Sequence, residues 1–107
     1  MKKEKLLKIY IDSEDKYNGK PLWKVILSKA KESGIAGATV LKAVAGIGSH
    51  SKIHTINLLS LSINIPLIIE IVDLEEKIEK FINILDEIVE EGLITVQDVE
   101  VKIYRHR

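Results

Sequence analysis

The stretch Gly34-Ile35-Ala36-Gly37-Ala38-Thr39-Val40, followed by Gly46-Ile47-Gly48-Ser49-His50-Ser51, decides the fold of this chain. Gly34 reads as the stop of a helix, because a glycine takes the left-handed backbone that closes one at no steric cost. A strand starts after it and runs into the second glycine pair. A Gly-x-Gly step at a strand end can turn consecutive N–H groups toward an anion. The polar segment from Ser49 to Thr55 holds two of the three histidines. The expected business end is a flexible loop after a central strand, with a mouth suited to phosphate.

The elements on either side build outward from that point. Leu6 to Asp12 is a strand by its isoleucine and leucine content and partial alternation. Residues 13–20 are turn chemistry with an Asn18-Gly19 step, and Pro21 suits the first turn of a helix, where no N–H is needed. Leu22, Ile26 and Ala30 share one face of that helix, with Trp23 and Leu27 beside them. Ala38 to Ala45 forms the second strand.

Beyond the loop, Leu59, Leu61, Ile63 and Ile65 alternate with Ser60, Ser62 and Asn64, the period of a short strand or extended arm. Pro66 interrupts pairing, and Leu67 to Val72 is a further buried strand. Asp73 and Glu76 have the spacing of a capping box, and Ile78, Phe81, Ile82, Leu85, Ile88 and Val89 make a wide apolar stripe on the helix that follows. Gly92 closes it, and a last strand spans about Thr95 to Tyr104, with Val99, Val101 and Ile103 on one face. The order strand–helix–strand–loop–strand–helix–strand predicts an α+β, ferredoxin-like βαββαβ sandwich. Its sheet is antiparallel, both helices lie on one face, and a mobile loop with a short extra strand follows the second strand. One domain over residues 1–107 is expected from the length.

Such a sheet has a second face. Ile9, Ile11, Val40, Val44, Ile69 and Ile71 leave few positions for water, which predicts an oligomer with sheets packed on each other.

Composition excludes several classes. Sixteen basic and 16 acidic side chains cancel, so no global positive field holds DNA or RNA. Without cysteine there is no disulfide, zinc-thiolate site or cysteine nucleophile. Met1 to Lys5 does not read as a signal peptide, and no apolar run is long enough to span a bilayer, so a cytoplasmic protein is expected without membrane insertion. No serine–histidine–carboxylate set, paired carboxylates or phosphate loop ending in Lys-Ser/Thr is evident, so no catalytic residue is assigned and a non-enzyme is expected.

Ile9-Tyr10-Ile11, Gly19-Lys20-Pro21-Leu22, Gly34 through Leu41, Gly46-Ile47-Gly48, Ile53-His54-Thr55, Pro66 through Asp73 and Glu91-Gly92-Leu93-Ile94 together carry a resemblance. The chain resembles the nitrogen-regulatory PII signalling superfamily and, more closely, an uncharacterised family of small PII-like proteins. The resemblance implies a homotrimer with sheets facing inward and an adenine nucleotide (AMP, ADP or ATP) in the cleft between subunits. It also implies a loop that reports occupancy to an unidentified partner protein, by analogy a membrane transporter or metabolic enzyme. It places Thr39 on the ligand-side strand, Gly46, Ile47, Gly48 and Ser49 at the base of the mobile loop, and Glu70 and Val72 along the adenine side. PII proteins carry a Gly-Asp-Gly-Lys turn before the last strand. Here Glu91 to Thr95 has no lysine and no second glycine, so the phosphate that the resemblance implies would have to meet other cations, such as Lys52, Lys102, Arg105 or Arg107.

Each feature has a plainer reading. Gly46 and Gly48 alone read as an ordinary turn more readily than as a phosphate cradle. His50 and His54 stand four apart, a metal-ligand spacing on a helix, but no helix is expected there and solvated histidines are favoured, so no metal site is assigned. Asp12, Glu14 and Asp15 could suggest a magnesium site, but a solvated loop is favoured. Trp23 reads as a core or interface anchor. The alternative function is a divalent-metal or ion-response trimer like the copper-tolerance proteins of the same architecture.

Overall fold

The structure, a computed structural model, describes residues 3–47, 53–55 (backbone only) and 64–106. Among these, β1 (Glu4–Asp12) and β7 (Pro66–Leu74) are the central strands of a four-stranded sheet flanked by β4 (Thr39–Lys42) and β8 (Leu93–Val99). All neighbours run antiparallel, with Ile9 opposite both Ile69 and Ile94, and Val40 opposite Ile69. Two short hairpins stand apart, β2 (Lys16–Tyr17) with β3 (Lys20–Pro21), and β5 (Ala45–Ile47) with β6 (Ile53–Thr55). Helices α1 (Leu22–Glu32) and α2 (Glu75–Ile88) cover one face. This is the expected α+β, ferredoxin-like arrangement.

Alternation sorts the strand residues onto two faces. Leu7, Ile9 and Ile11 of β1 and Leu67, Ile69 and Ile71 of β7 point to the helices and are buried. They meet Leu22, Ile26 and Ala30 of α1 and Ile78, Phe81, Leu85 and Ile88 of α2, the stripes expected from period 3.6. Each fully buried leucine, isoleucine or phenylalanine contributes about 1.5–3 kcal/mol, so this layer dominates the stability. Trp23 packs half-buried against its edge.

Local chemistry sets the element ends. Asn18 and Gly19 both take positive φ, 51° and 79°, the geometry of a tight two-residue hairpin. After α1, Ile35 N–H donates to the Ala30 carbonyl and Gly34 N–H to that of Lys31, with Gly34 at φ 74°. That pair of bonds is a Schellman closure, at the glycine expected to stop the helix. At the other end of the sheet, Lys5 of β1 bridges Glu75 at the start of α2 and Asp98 of β8.

Several expectations need correction. The strand before the loop is an edge strand, not a central one, since β7 and β1 occupy the middle. The expected strand from Ala38 to Ala45 is two pieces, because Ala43 and Val44 turn the chain out of the sheet into the β5–β6 hairpin. Pro66 does not interrupt β7. It opens the strand opposite Asp12, and its carbonyl accepts the Ala43 N–H at 2.9 Å. Proline is tolerated at a first strand position, where its missing donor is not needed.

Asp73 makes no cap. α2 begins at Glu75, with Leu74 before it and no side-chain bond at its start. The last strand spans Leu93–Val99 rather than about Thr95 to Tyr104. Its partner β1 begins at Glu4, opposite Val99, and among the described residues no strand pairs with Val101 and Ile103. Of the arm expected from Leu59 to Ile65, residues 59–63 lie outside the described residues, and Asn64 and Ile65 belong to no strand.

The surplus of apolar strand residues also resolves differently. Ile9, Ile11, Ile69 and Ile71 serve the helix side, and Val44 is exposed in the bend after β4. The uncovered face carries its own apolar row, Leu41–Ile68–Tyr10–Leu93, running straight across four strands. Beside it lies a polar row, Thr39–Glu70–Lys8–Thr95. Leu6 and Val72 pair in the row beyond.

Candidate functional site

A groove of about 540 Å³ opens where β1 ends, β7 and β8 begin and β5 folds over. The antiparallel order explains the meeting. Asp12 at the end of β1 pairs with Pro66 at the start of β7, and Tyr10 pairs with Leu93 at the start of β8. One wall is Ala45, Gly46 and Ile47, the floor is Pro66 to Ile68, and the far wall is the turn Glu91-Gly92-Leu93.

Close approach shapes both glycine positions. A Cβ on Gly46 would lie 3.0 Å from Pro66 Cγ. Gly92 has φ 150°, and a Cβ there would lie 2.7 Å from the Tyr10 carbonyl oxygen, below any ordinary contact. Ser13 holds the rim together: its N–H donates to the Ile65 carbonyl at 2.8 Å, and its Oγ accepts the Ile65 N–H at 2.9 Å.

The polar lining is acidic. Asp12, Asp15 and Glu91 face the groove, and among the described residues no basic side chain lines it. Burial pushes the Asp15 carboxyl above its ordinary value of 3.8, and the Asp12 and Glu91 carboxylates add to the rise. The Asp12 N–H, donating to Asp15 Oδ2 at 2.9 Å, works against it.

The residues singled out from sequence fall in three places. Gly46 and Ile47 line the groove, facing the turn that the resemblance matched to the phosphate-holding turn of PII proteins. Thr39 and Glu70 are cross-strand partners on the uncovered face, and Val72 lies on that face two residues along β7. Their row is next to the apolar one that shares Tyr10, Ile68 and Leu93 with the groove, one strand step of about 7 Å away. Groove and uncovered face are therefore continuous. Arg105 and Lys102 are exposed in the segment after β8 and do not line the groove. Gly48, Ser49, His50, Lys52 and Arg107 lie outside the described residues. His54 is paired through its backbone with Gly46. Among the described residues no group of three or more His, Asp or Glu side chains is arranged to hold a metal ion.

Asp12 and Asp15 were expected in a solvated loop, and Tyr10 simply in a strand. All three line the groove. The signal was positional: in this topology the end of the first strand abuts the starts of the third and fourth, so polar residues just past Ile11 meet the Gly92 turn.

The fold class is that of the PII-like and CutA1-type ferredoxin-like proteins. A divalent ion tolerance protein CutA1 from Ehrlichia chaffeensis superposes with a TM-score of 0.67 at 16% identity, over 96% of this chain and 87% of that one. A nitrogen regulatory PII-like protein, CPII from Thiomonas intermedia K12, solved with ADP, AMP and bicarbonate, gives 0.63 at 20% identity, over 92% and 88%.

The particular family follows from sequence: residues 4–101 match the model of DUF190, described as an uncharacterised ACR, and the chain belongs to that family. A UPF0166 protein of Aquifex aeolicus is 45% identical over 101 residues, 92% of this chain and 93% of that protein. Another, from Methanocaldococcus jannaschii, is 40% identical over 102 residues, 94% of each. This family membership accords with the resemblance to small PII-like proteins. Among the described residues no helix is long and apolar enough to cross a membrane.

Proposed function

We propose that this chain is a non-enzymatic PII-like regulator. It assembles as a homotrimer through the uncovered sheet face and binds an adenine nucleotide where subunits meet. Binding orders the segment from Ser49 to Thr55, which reports occupancy to a partner protein. The observation that carries this reading is the continuity of the Gly46–Gly92 groove with the apolar row Leu41–Ile68–Tyr10–Leu93. A second subunit covering that row turns an open groove into a walled cleft of the size that takes a small molecule. The CPII structure with ADP and AMP supports the choice of ligand.

In this reading the adenine ring lies toward Thr39, Glu70 and Val72. Phosphates meet the backbone N–H groups of Gly46, Ile47, Gly48 and Ser49, with Arg105 or Lys102 of the same or a neighbouring subunit as counter-charge. The loop responds by population shift, which requires that the nucleotide favour one of its states. Calorimetry with AMP, ADP and ATP tests this, read beside native mass spectrometry of gently purified protein. Saturable heat and a retained nucleotide mass on a trimer are expected. No heat at millimolar ligand removes the proposal.

The CutA1 likeness favours one other reading, a divalent-ion-responsive trimer. It predicts a melting temperature raised by copper, zinc or nickel, with the rise lost in His50→Ala or His54→Ala.

A further inference from the structure

The neutral total charge conceals a sharp division between the two helices. From Lys16 to Lys31 the chain carries five lysines and no acidic residue. From Glu75 to Glu91 it carries seven carboxylates and two lysines. Because α1 and α2 lie side by side on one sheet face, the helical layer has a basic half and an acidic half.

The basic half is not flat. The β2–β3 hairpin stands beside α1, held by the Leu22 N–H donating to the Asp15 carbonyl at 2.8 Å. Between hairpin and helix runs a second groove of about 460 Å³, sharing no lining residue with the first. Lys20, Lys24 and Lys29 stand along it, and Tyr17, Pro21 and Val25 give it an apolar bed. Glu32 closes one end, 3.9 Å from Lys29, an exposed pairing of little strength. Lys24 Nζ sits 5.4 Å above the ring of Trp23, the chain's single tryptophan.

We propose that this groove is a docking site for an acidic peptide segment of a partner protein, with one apolar side chain seated on Tyr17, Pro21 and Val25 and carboxylates paired with Lys20, Lys24 and Lys29. The charge division selects the occupant. A narrow acidic strand along the groove meets Lys20, Lys24 and Lys29, with Glu32 only at one end. A wide anionic surface, such as a bilayer or a nucleic-acid duplex, also presses on the carboxylates of α2 and is repelled. The β2–β3 hairpin supplies one side of the groove and α1 the other. Charged contacts of this kind set partner choice and encounter rate more than raw affinity.

The test uses the whole protein and a synthetic ten-residue peptide of glutamate and aspartate with one central leucine. Trp23 emission is the readout, because a carboxylate that draws Lys24 away changes the charge over the only indole. The expected result is a saturable emission change that weakens as salt rises. It should weaken about ten-fold or more in Lys20→Glu/Lys29→Glu, which keeps Lys24 over the indole, and little in Lys80→Glu, a reversal on α2. Circular dichroism of the variants keeps lost binding apart from lost fold. No response at millimolar peptide in low salt overturns the proposal, as does equal affinity in the charge-reversed variant. Anionic phospholipid vesicles or a short DNA duplex binding as tightly as the peptide, with the same lysine dependence, also overturns it in favour of a general polyanion site.

Discussion

Asp73 Oδ2 accepts the backbone N–H of Ala36 at 2.9 Å, joining the end of β7 to the linker between α1 and β4. Its other oxygen takes the Leu74 N–H at 2.7 Å, and Asp73 is the one buried charged residue among those described. Buried carboxylates persist only where donors satisfy them. The bond fixes how the chain leaves the Gly34 closure and enters β4, and β4 carries Thr39. Asp73→Ala is expected to cost about 1–3 kcal/mol in denaturant unfolding. Asp73→Asn keeps one of the two acceptors and should fall between Ala and wild type. Amide exchange from Ile35 to Lys42 should quicken in both variants, while the Phe81 region stays protected.

Gly92 meets the Tyr10 carbonyl at a distance no side chain accommodates, and its φ of 150° is one that other residues rarely adopt. Gly92→Ala therefore combines strain with a backbone clash. A loss of about 1–3 kcal/mol is expected, seen as a fall in melting temperature of about 5 °C or more. Gly37, with nothing within 4 Å of its would-be Cβ, is the control. Gly37→Ala should stay within about 0.5 kcal/mol of wild type.

Why some of this was legible in sequence and some was not comes down to range. The closure at Gly34, the Asn18-Gly19 hairpin and the stripe from Ile78 to Ile88 depend on residues within a few positions of each other, and local chemistry specifies them. The limits of β8 depend on where β1 starts, some 90 residues away in the chain, so the alternation that continues through Val101 and Ile103 misleads. Asp73 has the spacing of a cap, yet its side chain is taken by Ala36, 37 positions earlier. The groove was half legible. Gly46 and Ile47 announce a strand end, but Asp12 and Asp15 join them only once the strand order is known.

Leu41 faces away from the helices and is 42% exposed at the edge-strand end of the apolar row. If three subunits meet through that row, a charge there is buried against its neighbours at high cost. Leu41→Asp should shift the protein toward monomer in sedimentation while leaving its circular dichroism unchanged. Val44→Asp, at a position 77% exposed in the bend beyond the sheet, should leave the assembly intact. An assembly indifferent to Leu41→Asp would place the subunit contact elsewhere.

The acidic lining of the first groove makes a prediction about which nucleotide fits. Asp12, Asp15 and Glu91 stand beside the wall that offers the Gly46 and Ile47 backbone, so each added phosphate charge meets repulsion as well as N–H groups. AMP should therefore bind more tightly than ADP, and ADP more tightly than ATP, when no divalent cation is present. Magnesium, which neutralises part of the polyphosphate, should narrow the gap.

Asp15 supplies the pH dependence. Its folded-state pKa is raised, so the folded protein holds that proton more firmly than the unfolded chain does. Its ionisation costs stability as pH rises from about 3.8 through the raised value, and the cost persists at neutral pH. Asp15→Asn should then melt higher than wild type at pH 7, with the advantage shrinking as pH falls toward that ordinary value. The same change should strengthen ATP binding more than AMP binding at pH 7, read by calorimetry. An Asp15→Asn protein that ranks the three nucleotides just as wild type does would show that the phosphates never approach this carboxylate, and that the ligand enters the cleft the other way round.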